Sequence, residues 1–167
     1  MPVRPEAVPF DSMVDDLWQP LADRARAKQL SVALGVPDGA SWHTDPVVLR
    51  VIVGNLLANA VEYTPVAGEV RLRFEGSKGS ARLSISNTTD HLRSEDLPHL
   101  FDRFWRKDPS RTSSTHCGLG LALAKGYAES LGLSLRAGMT GRSELTIELS
   151  ASPLEFSTPA GLLSASN

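Results

Sequence analysis

A single cysteine, Cys117, among 167 residues excludes an internal disulfide framework and any cysteine-rich zinc site. An excess of one charge is also lacking. Lys plus Arg number 17 and Asp plus Glu 19, and a net charge of -2 argues against wholesale nucleic-acid binding. No apolar run approaches the roughly 18 residues of a spanning helix, so no membrane contact is expected from this segment. The opening MPVRPEAVPFDS has no apolar stretch of the secretory kind. No internal repeat is visible. What remains is an ordinary globular composition, 41% apolar and 22% charged, at a length that suits one domain with its own core. A reducing, cytoplasmic setting fits these absences.

Pro2, Pro5 and Pro9 forbid a regular helix over residues 1–10, which read as an extended linker remnant. Val14, Leu17, Trp18, Leu21 and Ala25 then recur at helical spacing, with Pro20 bending or tightening the helix. Leu30–Leu34 alternates like a strand. Asp45-Pro46 is a helix start, because Asp caps free N–H groups and Pro suits the first helical position. Leu49, Ile52, Val53, Leu56 and Ala60 form the apolar stripe of that helix, which should stop near Tyr63-Thr64-Pro65. Glu69–Phe74 and Ala81–Ser86 read as strands joined by a turn over Glu75–Gly79. Residues 87–117 read as mostly irregular, with a short helical piece over Asp96–Phe104 and a polar loop over Lys107–Thr115. A helix over Leu119–Leu131 follows, closed by Gly132. Strands over Leu133–Ala137 and Glu144–Leu149 flank a turn from Gly138 to Gly141. The domain is expected to span 11–150, and 151–167 to form a weakly ordered tail.

Two constellations carry chemistry. Asn55, Asn59 and Glu62 are spaced i, i+4, i+7 and share one helical face, rotated away from the apolar stripe. Two amides and a carboxylate offer oxygen ligands, and Mg²⁺ takes oxygen while sharing its shell with substrate phosphates and water. From spacing alone a solvated polar face is the simpler reading. The second is His116-Cys117-Gly118-Leu119-Gly120-Leu121. Glycine lets a backbone approach a ligand closely, and the free N–H groups of a helix start bind phosphate. Spacing alone equally allows a tight loop-to-helix turn.

Together and in order, NLLANAVEYTP, EDLPHLFDRFWRKD and GLGLALAKGYAESLG resemble the asparagine box, phenylalanine box and second glycine box of the catalytic, ATP-binding domain of bacterial sensor histidine kinases, within the GHKL ATPase superfamily. DPVVLRVIVGNLL also resembles that family's Asp-Pro-x-x-Leu lead-in, and the resemblance runs from about Phe10 to Leu149. It implies an α/β two-layer sandwich of the Bergerat type, a mixed sheet under helices with a mobile ATP lid. The cofactors implied are ATP and Mg²⁺. Asn59 would ligate the metal, and Asn55 would support metal or phosphates. These two amides are the catalytic candidates. Tyr63 would lie near the nucleotide. Arg103 and Phe104 would belong to the lid base. Lys107, with Arg106 or Arg111, would reach phosphates. Gly118 and Gly120 would offer backbone N–H groups. Leu119 lies between them in the same site, although its side chain and that of Leu121 suit the core.

The sequence also departs from the pattern. The family's first glycine box is usually Asp-x-Gly-x-Gly, and here Asn87-Thr88-Thr89-Asp90-His91 stands in its place without either glycine. Asn87 would be the adenine reader. Its amide oxygen accepts a hydrogen bond, though more weakly than a carboxylate. Asp90 is the alternative if the register slips. Glu62 replaces the lysine often found there, and would help hold Mg²⁺ while repelling bare phosphate. His116 replaces a glycine in the lid.

Related ATPases of this fold (DNA gyrase, mismatch-repair and heat-shock chaperone ATPases) carry Glu where Asn55 stands. An amide is no general base at neutral pH, so the resemblance implies ATP held for transfer rather than readily hydrolysed. None of His43, His91, His99 or His116 has the setting of the family's phosphoacceptor, so the acceptor histidine is expected in a separate dimerisation domain of the same kinase, with a response regulator downstream. The competing reading is a non-catalytic docking or phosphotransfer scaffold that binds ATP weakly or not at all.

Overall fold

The computed structural model describes residues 2–77, 80–108 and 118–151. The chain folds in the order β1 (Glu6–Pro9), α1 (Phe10–Trp18), α2 (Ala22–Ala27), β2 (Ser31–Gly35), β3 (Ser41–Thr44), α3 (Pro46–Tyr63), β4 (Glu69–Ser77), β5 (Ser80–Thr88), α4 (Gly120–Ser130), β6 (Ser134–Thr140) and β7 (Glu144–Ser150). A 3-10 turn at Gln19–Leu21, placed by Pro20, joins α1 to α2, and a second covers Ser94–His99.

Five strands form a mixed sheet in the order β2-β4-β5-β7-β6, with β2 parallel to β4 and every other pair antiparallel. Strand alternation puts Leu72 and Phe74, Leu83 and Ile85, Leu145, Ile147 and Leu149 in buried rows. Leu49, Ile52, Val53, Leu56, Leu57 and Ala60 of α3 pack into the same core, with Leu121, Ala124 and Ala128 of α4. The other sheet face is wet and charged. Arg71 there meets Glu69 at 3.0 Å and Glu144 at 3.3 Å, exposed pairs of small energetic weight. This is the two-layer α/β arrangement implied by the resemblance.

The long central helix follows from its sequence. Asp45 accepts hydrogen bonds from the Val47 and Val48 N–H groups at 3.0 and 3.1 Å, and Pro46 occupies the first helical position. Thr64, fully buried, ends the helix with its hydroxyl on the Ala60 carbonyl at 2.6 Å. With 18 residues and a mean hydropathy of 1.2, α3 is long and apolar enough to cross a membrane by length and composition. Its apolar stripe is instead the centre of the core.

Several boundaries differ from the sequence reading, for local reasons. Residues 1–10 carry strand β1, which pairs antiparallel with β3, Val8 opposite Trp42. Phe10 follows in full burial, 4.4 Å from the Phe74 ring and 5.8 Å from Trp42. The turn expected over Glu75–Gly79 is shorter, because β4 and β5 pair as far as Ser77 opposite Ser80. Gly138 to Thr140 remain in β6, opposite Thr146 to Glu144, so the reversal starts at Gly141 with φ +60°. The helical piece expected over Asp96–Phe104 is the 3-10 turn Ser94–His99, whose Pro98 has no N–H to continue an α-helix. The expected tail, apart from Ala151, lies outside the described residues.

The aromatic contact of Phe10 ties β1 and β3 to the main sheet through Phe74. Phe10→Ala is expected to destabilise the protein by about 3–5 kcal/mol. Urea denaturation should show this as a lower midpoint with an unchanged slope.

Candidate functional site

The polar face of α3 lines a cavity of about 710 Å³. Asn55, Ala58, Asn59, Glu62 and Tyr63 form one wall. Helix geometry spreads Asn55 to Tyr63 over about 12 Å, so the cavity has two distinct ends. Near Asn55 stands the start of α4, with Gly118, Leu119 and Gly120. Near Tyr63 stand Asn87, Thr89, Asp90, His91 and Leu92, from the end of β5 and the segment after it.

At the first end the helices meet closely. The Asn55 Nδ2 donates to the Val51 carbonyl at 2.8 Å, which turns Oδ1 outward. A Cβ on Gly120 would lie 3.1 Å from that oxygen, a tight contact that glycine avoids. Among the described residues no side chain caps the N-terminus of α4, and the first N–H groups of such a helix start suit an anion. Asn59, half-buried, makes no side-chain hydrogen bond to any described residue. Gly118 has φ +73°, and a Cβ there would lie 3.0 Å from Phe104 Cα and from the Trp105 carbonyl oxygen. The Phe104 N–H donates to the Gly118 carbonyl at 3.0 Å and clasps the two ends of the 104–118 connection together.

At the second end the sheet supplies a polar residue in an apolar row. Leu83, Ile85 and Asn87 point the same way from β5, and Asn87 is 5% exposed. Its Nδ2 donates to the Thr88 carbonyl at 3.0 Å, which leaves Oδ1 as the acceptor. An Asp at 87 would set a carboxylate oxygen against that carbonyl instead. Thr89 is buried, donating its N–H to the Ser143 carbonyl at 2.8 Å and accepting the Leu92 N–H at 3.2 Å. Among the described non-glycine residues a positive φ occurs only at Gln29, Ala67 and Phe104. The path from Asn87 to Leu92 thus requires no left-handed residue, and the missing glycines leave no backbone strain. Asp90 is half exposed, with its Oδ1 3.1 Å from His91 Nδ1.

With this geometry in view, the relatives are informative. Residues 44–153 match the family described as Histidine kinase-, DNA gyrase B-, and HSP90-like ATPase. The chain belongs to that family. It is 45% identical over 78 residues to the phosphate regulon sensor protein PhoR of Pseudomonas aeruginosa, covering 46% of this chain and 18% of that protein. It is 32% identical over 132 residues to the sensor protein VanSB of Enterococcus faecalis, covering 77% of this chain and 30% of that one. The chain thus spans a third or less of these sensors. Its fold matches the catalytic domain of histidine kinase ThkA with a TM-score of 0.74 at 15% identity, over 88% of this chain and 94% of that one. ThkA has also been solved in complex with the response regulator protein TrrA, a match of TM-score 0.71 at 15% identity over 92% of this chain and 44% of that one.

Within this histidine-kinase-like ATPase domain, most residues singled out by the sequence share the cavity. Asn55, Asn59, Glu62, Tyr63, Asn87, Lys107, Gly118, Leu119 and Gly120 all line it, as does Arg106. Arg103 and Phe104 do not. Phe104 turns at φ +63°, which sends its backbone to Gly118 and leaves its ring 69% exposed. Glu62 lines the cavity, but its carboxylate is ion-paired with Arg24. Arg111, His116, Cys117 and most of the expected lid lie outside the described residues. Lys28, Thr64, Thr89 and Trp105 line the cavity without having been singled out. Lys28 Nζ donates to the Val61 and Glu62 carbonyls at 2.8 Å each, at the C-terminal end of α3. Burial pulls its ammonium below the usual lysine value, and Glu62 opposes that shift. Only Thr64 had a local signal, as a polar residue at a helix stop before Pro65. The others are placed by tertiary contacts.

Lys107 is held in place. Its Nζ lies 3.0 and 2.9 Å from the two carboxylate oxygens of Asp96, and Asp96 also accepts the Arg93 N–H at 2.8 Å. Burial pushes the Asp96 carboxyl up, but the bonds from Lys107 and Arg93 outweigh it and hold it below 3.8. Because the folded value is the lower one, the stabilisation is complete above the unfolded value and fades as pH falls through the folded one. Asp96→Asn is therefore expected to be less stable than the wild type at pH 7, with the gap closing below about pH 4. Urea denaturation across that range measures it.

Proposed function

We propose that the chain binds Mg·ATP in this cavity and transfers its γ-phosphoryl group to a histidine on a separate dimerisation domain. The observation that carries the reading is the Asn55–Asn59 amide face standing opposite the uncapped, glycine-led start of α4. Amides and phosphate oxygens together suit a hard cation. Among the described residues no group of three His, Cys, Asp or Glu side chains could hold a metal without such help. Asn59 and Asn55 would hold Mg²⁺, which would neutralise phosphate charge. The first N–H groups of α4 would receive phosphate oxygens, and Arg106 and Lys107 would add positive charge nearby. Tyr63 would stand beside the nucleoside, and the Asn87 Oδ1 would accept from the adenine amino group.

The chemistry this supports is transfer. The side chain facing α4 is an amide, which takes no proton from water, and Glu62 is engaged by Arg24. Positioning and charge stabilisation are what phosphoryl transfer mainly needs. The sensor relatives and the ThkA–TrrA complex support a response regulator as the downstream partner and the cytoplasmic side of a receptor as the setting. The unstrained path from Asn87 to Leu92 supports nucleotide binding over the scaffold reading.

Isothermal calorimetry with Mg·ATP tests this. The wild type should release heat of binding. Asn59→Ala should weaken affinity by about ten- to a hundredfold, the range for losing a hydrogen bond to a charged partner. An absence of binding by the wild type at millimolar ATP would overturn the proposal.

A further inference from the structure

The segment after β5 adds side chains to the nucleoside end of the cavity, and one of them carries a recognition group. His91 lines the cavity with its side chain 22% exposed. Its Nδ1 lies 3.1 Å from Asp90 Oδ1, a contact that fixes the orientation of the ring. Its ring centroid lies 6.1 Å from that of Tyr63, with the planes at 42°. That separation is too small for a base to enter between the rings. The two instead form one continuous aromatic wall, running from the last turn of α3 to the segment after β5. Leu92, Leu100 and Leu145 line the same cavity and add apolar surface suited to a flat ring.

We infer that His91, oriented by Asp90 and abutting Tyr63, is a base-binding residue that supports the purine ring of the nucleotide. This rests on the ATP reading above and deepens it. The division of labour follows from position. The polar groups at the Asn55 end serve the charged tail, while the Tyr63–His91 wall serves the base. A flat heteroaromatic ring gains from an aromatic surface about as much as a base gains on a protein aromatic, on the order of tenfold or more in affinity.

The test uses the purified chain with Mg·ATP and, separately, Mg²⁺ with inorganic triphosphate, which has no base. His91→Gly should weaken Mg·ATP about tenfold while leaving triphosphate binding unchanged. His91→Phe, which keeps an aromatic ring, should stay within about threefold of the wild type for ATP. The His91 imidazole ¹⁵N resonances should shift with ATP and stay still with triphosphate. If the wild type binds ATP and loses it in Asn59→Ala, yet His91→Gly binds ATP as well as or better than the wild type, the inference fails while the ATP reading stands. If the wild type binds neither ligand, both fail. Amide spectra of each variant would establish that it is folded.

Discussion

The structure depends on one close approach, the seating of the α4 start against the amide face of α3. Gly120 eases it, since a Cβ there would lie 3.1 Å from the Asn55 oxygen. Gly118 makes the preceding turn possible, since its φ is positive and the Phe104 backbone lies where a Cβ would go. The Phe104–Gly118 hydrogen bond then closes the 104–118 connection at its base. The two glycines thus bring a helix start close to the amide face of α3, where both line one cavity. The core supports this contact from beneath, because the stripes of α3 and α4 share the same buried rows of the sheet.

Around the cavity, charge is arranged so that α3 does not repel an anionic ligand. The C-terminal carbonyls of a helix carry partial negative charge, and Lys28 binds two of them. Glu62 has Arg24 beside it. Asp96 holds Lys107, a lining residue within the 104–118 connection. The carboxylate of Glu62 therefore reads differently in place than in the sequence. Its spacing suggests a ligand in line with the two asparagines, while its neighbour makes it a neutralised wall residue.

Much of this was legible in the sequence because the signals were local. Asp45-Pro46 marks a helix start by cap chemistry, and Asn55, Asn59 and Glu62 fall on one face by periodicity. The five strands of the main sheet were legible as alternation, but their ends were not. Gly76 and Gly138 look like turn residues, and continue as strand because a partner strand supplies their hydrogen bonds. Strand β1 was hidden by its prolines, which fit a short two-stranded ribbon where few ladder bonds are needed. Lys28 and Trp105 had no local signal. Each reaches the cavity only because distant segments meet. Arg103 and Phe104 lie in a motif that resembles the family's, yet neither lines the cavity, and Phe104 sits in a left-handed turn with its side chain exposed.

The central claim is that the amide face of α3 and the glycine-led start of α4 hold the two sides of one ligand. A ¹H–¹⁵N titration with Mg·ATP tests it most directly. The backbone and side-chain amides of Asn55 and Asn59 and the backbone amides of Gly118 to Leu121 should shift along a single binding curve with a shared midpoint. Signals that stay unmoved at saturating nucleotide, or two sets that saturate at different concentrations, would contradict it.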